Sequence, residues 1–271
     1  MMFGAIYGDV IGSYYEVHCT KDEYFDFHKD SSFTDDSVLT AAVCKTILSC
    51  PDDITFWELN RRSFEYAVQY KAYYHQYPHA GFGNLFRQWA ENKTLYKQKS
   101  YGNGAAMRTV PIGYAYDNLK QVLLQAKASC LYTHNSREAI VGAECVAAAV
   151  WLARHCQSKS EIQTFCEKKF GFSFAVPIED IRKTHVFDSR TKYSVPPAII
   201  AFLQSDDYES AVRNAVSLGG DADTQACIAG GIAEAYYREI PKPIRSFCDS
   251  KIDIGILSVI REFERQYPIK K

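Results

Sequence analysis

Apolar residues recur at the spacing of an α-helix through most of this chain of 271 residues. Segments 119–130, 208–216 and 252–263 each place their apolar side chains on one helical face. Segment 136–155 starts at a serine, continues through a run of alanines and ends near an arginine, which is typical of a strong helix. Stretches that alternate as a β-strand would are short, and 184–187 is the best of them. The sequence therefore predicts an all-α protein, a single compact domain of orthogonally packed helices over residues 1–271.

The bulk composition argues against several classes of protein. Hydrophobic residues make up 47% of the chain, charged residues make up 23%, and the formal net charge is −1, so no overall field attracts nucleic acid or an anionic membrane. No apolar run approaches the ~20 residues of a transmembrane helix, and the first residues lack the basic region of a signal peptide. The nine cysteines are dispersed, which favours reduced thiols. We expect a monomeric cytoplasmic enzyme with no nucleic-acid or membrane partner.

Two acidic turns lie far apart in the sequence, and each opens an apolar, alanine-rich helical stretch. Their oxygen-bearing residues are Thr34, Asp35 and Asp36 in one turn, and Asp221, Asp223 and Thr224 in the other. Either turn alone is most simply a helix N-cap. A cap uses one side chain, however, and each turn supplies two carboxylates and a hydroxyl, the ligands that hard divalent cations prefer. If the fold joins the turns, they predict a cleft that holds two metal ions.

The first helical segment carries glycines at positions 4, 8 and 12, followed by Glu16. Glycine inside a helix costs on the order of 1 kcal/mol relative to alanine, so a bare face indicates that something approaches closely. The sequence leaves open whether a packed helix or a ligand does so. Glu16 is a candidate fifth carboxylate of the cleft. Five carboxylates would repel one another strongly without metal, so their clustering predicts metal and a looser site when metal is lost.

A glycine-containing loop precedes the next helical run. Its candidate binding residues are Ser100, Tyr101, Gly102, Asn103 and Gly104. Glycines at such a position expose backbone N–H groups that suit a phosphate, and the tyrosine offers a face to a base. The alternative is an ordinary turn with a core tyrosine. From the residues alone, His134 is interpreted as a capping or hydrogen-bonding residue, and Arg108 as half of a structural ion pair.

These five elements, in this order, resemble the ADP-ribosylglycohydrolase family, which includes the dinitrogenase-reductase-activating glycohydrolase and the metazoan ADP-ribosyl-acceptor hydrolases. The match is carried by residues 8–16, 33–37, 100–108, 133–135 and 218–224. The resemblance implies an all-α domain with two Mg²⁺ or Mn²⁺ ions at the base of a cleft. The metal ligands that it implies are Thr34, Asp35, Asp36, Asp221, Asp223 and Thr224. It places Glu16 beside the metals, where a glutamate gates or assists the reaction.

The resemblance also implies a substrate and a reaction. Residues 100–104 would hold the pyrophosphate and stack the adenine, and His134 would lie near the phosphates and the distal ribose. The expected reaction is hydrolysis of the C1″ glycosidic bond of an ADP-ribosylated protein side chain, with release of ADP-ribose. Glu16 or an aspartate such as Asp36 would act as general base. The alternatives are a hydrolase of a small derivative such as O-acetyl-ADP-ribose and a non-catalytic ADP-ribose binder.

Three segments depart from the family pattern, namely 96–99, 136–137 and 192–194. We expect them to border the cleft, so they leave the leaving-group specificity open.

Overall fold

Fourteen α-helices account for most of the regular structure of residues 2–268, the part of the chain that the computed structural model describes. They are α1 (Gly4–Val17), α2 (Asp35–Ser49), α3 (Leu59–Gln76), α4 (Asn84–Glu91), α5 (Val110–Ala115), α6 (Leu119–Cys130), α7 (Arg137–Arg154), α8 (Lys159–Phe170), α9 (Ile178–Thr184), α10 (Thr191–Leu203), α11 (Tyr208–Ser217), α12 (Ala222–Tyr237), α13 (Lys242–Asp249) and α14 (Ile254–Gln266). Short 3₁₀ turns span Phe56–Glu58 and Asn103–Ala105. The prediction of an all-α fold is confirmed.

The helical segments predicted from apolar spacing correspond to α6, α7, α11 and α14. Ser136 caps α7, since its side chain accepts a hydrogen bond from the amide of Ala139. The strand prediction for 184–187 is wrong, because α9 continues to Thr184 and the residues after it pair with no neighbouring strand. Within residues 2–268 the one β-type pairing is an isolated bridge between Gly102 and Arg190. No helix in this part of the chain is long and apolar enough to cross a membrane.

Helices α1 and α12 form the central pair of the fold. A Cβ placed on Gly8 would lie 2.0 Å from the carbonyl oxygen of Ala226, and one on Gly12 would lie 2.4 Å from that of Ala222. The bare glycine face therefore meets the backbone of α12, so helix packing explains these glycines. This pairing brings the end of α1, with Glu16, next to the start of α12.

The start of α1 is fixed by a residue of the same partner helix. The buried carboxylate of Glu234 in α12 accepts a hydrogen bond from the amide of Gly4 at 2.6 Å. A carboxyl oxygen that accepts at a helix N-terminus is favourable because the first amides have no partner inside the helix. Both ends of α1 are thus held in register with α12.

Candidate active site

Acidic side chains from three helical ends meet in the wall of a cavity of about 360 Å³. The acids in the cavity wall are Glu16, Asp35, Asp36, Asp221 and Asp223. The end of α1 contributes the first, the start of α2 the next two, and the start of α12 the last two. Thr34 and Thr224 also line the wall. The fold therefore joins the two acidic turns.

The acids form two groups that could each hold a metal ion. One consists of Asp9, Asp36 and Asp223, the other of Glu16, Asp221 and Asp223, and within each group one oxygen of every residue lies within 4.8 Å of the others. Asp36 accepts a 3.2 Å hydrogen bond from the hydroxyl of Thr224 through Oδ2, while its buried Oδ1 has no hydrogen-bond partner among the described residues. A buried carboxylate oxygen without a donor fits a cation ligand.

Asp9 was not among the predicted site residues. It is fully buried in α1, and its carboxylate accepts bonds from the amide and hydroxyl of Thr34 at 2.9 and 2.6 Å. The amide of Ser37 donates at 3.1 Å, and the Ser37 hydroxyl also donates to it. Because four donors use the usual capacity of a carboxylate, we interpret Asp9 as holding the α2 turn, and Asp36 and Asp223 as the members of its group that are left to contact a cation. The signal in the sequence is an acid that interrupts the apolar face of α1.

Burial and mutual repulsion govern the protonation of these acids. Burial raises the pKa of Asp35 to about 8, and the charges of Asp9, Asp221 and Glu16 add to the shift. The pKa values of Asp36 and Asp223 are also raised well above the usual range, first by burial and then by neighbouring carboxylates. Burial, followed by the charges of Asp221 and Asp9, raises the pKa of Glu16. Such a cluster is costly when ionised, and a bound cation would relieve that cost.

The loop at residues 100–104 is joined directly to the acids by Asn103. Its Nδ2 donates to Asp221 at 2.7 Å and to the hydroxyl of Ser194 at 3.0 Å. Its backbone amide donates to the carbonyl of Ser189 at 2.8 Å. Asn103 is therefore placed to orient Asp221, while its neighbours Ser100, Gly102 and Gly104 line the cavity.

His134 lies against this loop and is joined to Arg108 through a hydroxyl. Nη2 of Arg108 donates to Oγ1 of Thr133 at 2.6 Å, and Oγ1 of Thr133 lies 2.9 Å from Nδ1 of His134. Burial, assisted by the charge of Arg108, lowers the pKa of His134 well below its usual range. The imidazole that lines the cavity is thus neutral, with one ring nitrogen held by the Thr133 hydroxyl.

The expected ion pair of Arg108 is not formed within residues 2–268. Its guanidinium is fully buried, lies 4.1 Å from the centroid of the Tyr70 ring and donates to the carbonyl of Ser129 at 2.9 Å. Its contribution to the site is therefore indirect, through the Thr133 hydroxyl and His134. The sequence suggested a carboxylate partner for Arg108, and in the structure the face of the Tyr70 ring takes that place.

The aromatic residue in the cavity wall differs from the one that the sequence suggested. Tyr101 is not among the lining residues; its side chain is exposed beneath Lys99, and its carbonyl accepts a bond from the amide of Thr191. Phe187 does line the cavity, although 55% of it is exposed, and Leu85 lines it with 54% exposed. Because the sequence predicted a strand at 184–187, it gave no reason to place Phe187 at the site.

The three segments that depart from the family pattern do not form the cavity wall. Tyr193 belongs to the first turn of α10, where its ring lies under the guanidinium of Arg190, and Ser136 is the buried cap of α7. The wall includes two other stretches instead, one with Gly81, Gly83, Asn84, Leu85 and Phe86 and one with Phe187 and Ser189. Differences in leaving-group specificity are therefore better sought in those two stretches.

Comparison with known proteins identifies the family of the chain. The model of the ADP-ribosylglycohydrolase family matches residues 1–266. The human ADP-ribosylhydrolase ARH3 is 27% identical over 344 aligned positions, which cover 97% of this chain and 92% of the human protein. The ADP-ribosyl-(dinitrogen reductase) glycohydrolase of Rhodospirillum rubrum is 26% identical over 63% of this chain and 56% of its own length.

A solved structure described as an ADP-ribosylglycohydrolase-related protein complex has the same fold. Its TM-score is 0.73 at 21% sequence identity, and the match covers 98% of this chain and 96% of the other. The family recognised from the motifs is thus confirmed over nearly the full length of the chain. The protein belongs to the ADP-ribosylglycohydrolase family, a family of hydrolases that act on glycosidic bonds.

Proposed function

We propose that this protein hydrolyses the C1″ glycosidic bond of ADP-ribosyl conjugates, using two divalent cations, Mg²⁺ or Mn²⁺, and releases ADP-ribose. The observation that carries the proposal is the meeting of the two acidic turns and Glu16 in the wall of one cavity. The same wall includes Ser100, Gly102, Asn103, Gly104 and His134. The acids suit cations and a sugar, and the polar loop with a neutral imidazole suits a pyrophosphate.

The residues that would hold the cations are Thr34, Asp35, Asp36, Asp221, Asp223 and Thr224. Asp9 and Asn103 support this set, since the first fixes the α2 turn and the second donates to Asp221. When bound, the cations would supply a template for the ribose hydroxyls and would polarise a water molecule. Bound cations would also reduce the repulsion among the carboxylates, which favours cation binding.

Glu16 suits the role of general base better than Asp36. Glu16 is the most exposed of the acids that line the cavity, so it can reach a water molecule. Its pKa is raised by the protein that surrounds its carboxyl group and by the charges of Asp221 and Asp9, as a general base requires. Asp36 is 2% exposed and hydrogen-bonded to Thr224, which suits a fixed ligand. Glu16 would take a proton from the attacking water as the distal ribose passes through an oxocarbenium-like transition state.

The binding wall would act through a histidine that keeps its protonation state near neutral pH. His134, held neutral, would present Nε2 to a phosphate oxygen or a ribose hydroxyl, while its Nδ1 stays with the Thr133 hydroxyl. Phe187 presents an exposed aromatic face to the cavity and is our candidate for stacking against the base.

The test is release of ADP-ribose from peptides ADP-ribosylated on serine or on arginine, measured with Mg²⁺, with Mn²⁺ and with a chelator. We expect metal-dependent release from at least one peptide and none with the chelator. Glu16→Gln is the matched control, because it keeps the size of the side chain and removes the base.

The other readings give different results in the same assay. Turnover of O-acetyl-ADP-ribose without turnover of either peptide would identify a small-molecule hydrolase. Calorimetric binding of ADP-ribose in the presence of metal, with no turnover of any substrate, would identify a non-catalytic binder and contradict the proposal.

A further inference from the structure

Lys21 lies in the segment that follows α1 and forms hydrogen bonds to two other segments. Nζ of Lys21 donates to the carbonyl of Leu218, which shortly precedes Asp221, and to the carbonyl of His185 at 2.7 Å. Lys21 itself lies shortly after Glu16 in the chain. Its ammonium therefore links the segment that continues from Glu16 to the loop that presents Asp221, and both to the stretch that leads to Phe187.

The Lys21 segment, the loop before Asp221 and the stretch around His185 are closely packed. Gly219 and Gly220 have positive φ values of +72° and +84°, a backbone region that favours glycine. A Cβ on Gly219 would lie 2.8 Å from the sulfur of Cys19 and 3.0 Å from Nζ of Lys21. A Cβ on Gly220 would lie 3.1 Å from Nε2 of His185. The loop before Asp221 thus fits against the Lys21 segment and His185 at van der Waals distance.

A second set of polar contacts, made by Arg182, joins the same segments as Lys21. Arg182 of α9, with a side chain 11% exposed, contacts Glu23 at 3.2 Å through Nη2. Its Nε donates to the hydroxyl of Ser217 at 3.1 Å. Glu23 belongs to the Lys21 segment and Ser217 ends α11, so Arg182 joins the same segments slightly further from the acids. His185 is in turn 2.8 Å from the side-chain nitrogen of Gln225 in α12.

Different hydrogen bonds hold the two acid groups in place. The group of Asp9, Asp36 and Asp223 is supported by the four hydrogen bonds that Asp9 accepts from Thr34 and Ser37. In the group of Glu16, Asp221 and Asp223, the first two come from the segments that Lys21 joins. Lys21 thus bears on Glu16 and Asp221, which belong to one group only, while Asp223 is shared by both groups.

We infer that Lys21 is a positioning residue for the Glu16–Asp221–Asp223 group and sets the affinity of the cation bound there. The inference rests on the proposed function, because it assumes that this group takes part in binding a divalent cation. The direction in which cation affinity changes when Lys21 is replaced distinguishes a positioning role from a direct electrostatic one. Removing a positive charge near acids would strengthen cation binding, whereas removing a tie that holds Asp221 in place would weaken it.

The experiment is a Mn²⁺ titration of the full chain, followed by the electron paramagnetic resonance signal of free Mn²⁺, with no substrate present. The variants are Lys21→Met and Lys21→Gln, both without the charge. The matched control is Lys183→Met, because Lys183 is an exposed lysine of α9 whose ammonium contacts Asp180 at 2.9 Å. Melting temperatures of the metal-free proteins verify that each variant folds.

We expect the wild type to bind Mn²⁺ in two classes of site. Lys21→Met should weaken one class roughly 10- to 100-fold, the range typical for residues that orient metal ligands, and should leave the other unchanged. Lys21→Gln, which retains a donor, should weaken the same class less. Lys183→Met should match the wild type.

Unchanged or tighter Mn²⁺ binding in Lys21→Met would overturn the inference while leaving the proposed function intact. Equal weakening of both classes in a folded variant would also overturn it, since that result shows that Lys21 does not act on one acid group in particular. A wild-type protein that binds no Mn²⁺ or Mg²⁺ would contradict the proposed function and the inference together.

Discussion

The hydroxyl of Thr34 donates a 2.6 Å hydrogen bond to Oδ1 of Asp9, which links the first turn of α2 to a buried acid in α1. Oδ2 of the same carboxylate accepts from the amides of Thr34 and Ser37. Asp35 and Asp36 lie between these two anchor points. Their orientation toward the cavity therefore depends on a residue that has no need to touch a substrate.

Asp9→Asn tests this dependence. An amide NH₂ group in place of Oδ2 would face the Thr34 and Ser37 amide donors, and a buried unsatisfied donor costs about 1–3 kcal/mol. We expect a lower melting temperature and Mn²⁺ binding weaker by roughly 10- to 100-fold, measured by calorimetry. The exposed Asp206→Asn is the control. Wild-type metal affinity in Asp9→Asn would show that the α2 turn is fixed by other contacts.

Asp223 and Glu16 should separate metal binding from proton transfer. Asp223 belongs to both acid groups, so Asp223→Asn should impair binding of both cations and abolish turnover. Glu16→Gln should keep the cations and lower kcat by roughly 10²- to 10⁴-fold, the usual contribution of a general base. The two measurements are Mn²⁺ stoichiometry and ADP-ribose release. Full activity in Glu16→Gln would assign the base to another residue.

The close approach of α1 and α12 predicts that Gly8 tolerates no larger residue. A Cβ there would lie 2.0 Å from a backbone oxygen of α12, so the helices must separate. We expect Gly8→Ala to lose at least about 1–3 kcal/mol of unfolding free energy in urea, as overpacked cores do. Gly83→Ala is the control, because Gly83 has φ −61° and no atom within 4 Å of the added Cβ. An equal effect at both positions would contradict this account of the helix pair.

Phe187→Ala is expected to weaken substrate binding without affecting the fold. Stacking of a base on an aromatic side chain contributes about 1–3 kcal/mol, so KM for an ADP-ribosylated peptide should rise roughly 5- to 150-fold. The melting temperature should stay the same, because Phe187 is 55% exposed. Val186→Ala, at a neighbouring residue that is 73% exposed and is not among the cavity-lining residues, should leave KM unchanged. A larger effect of Tyr101→Ala would return the stacking role to Tyr101.

Glu234 should make stability depend on pH in a defined window. Burial raises its pKa from 4.5 to about 7 in the folded protein, so the folded state retains a proton that the unfolded state has lost. Its contribution to stability is fully present below pH 4.5 and is lost as pH rises through 7. Glu234→Gln should therefore flatten the decline in unfolding free energy between pH 5 and 8. An unchanged slope in urea unfolding would show that Glu234 does not titrate in this range.

Local sequence determined the helices and their starting points. Apolar spacing identified α6, α7 and α11, and the hydroxyl and acid residues at 34–36 and 221–224 marked the starts of α2 and α12. These features depend on neighbours along the chain, because helical hydrogen bonds and caps reach only a few residues. The family motifs could be recognised for the same reason, since each is a short continuous segment.

The contacts between distant segments were decided by the tertiary structure. Thr224 bonds Asp36 across 188 positions of sequence, and periodicity, which reports the buried face of a helix, does not name the helix that covers it. The glycine face of α1 could have met a ligand, and the backbone of α12 occupies it instead. Asp9, Phe187 and Lys21 likewise acquire their positions only from segments remote in sequence. The sequence by itself thus determined the helices and the acidic turns, and packing determined that those turns share one cavity.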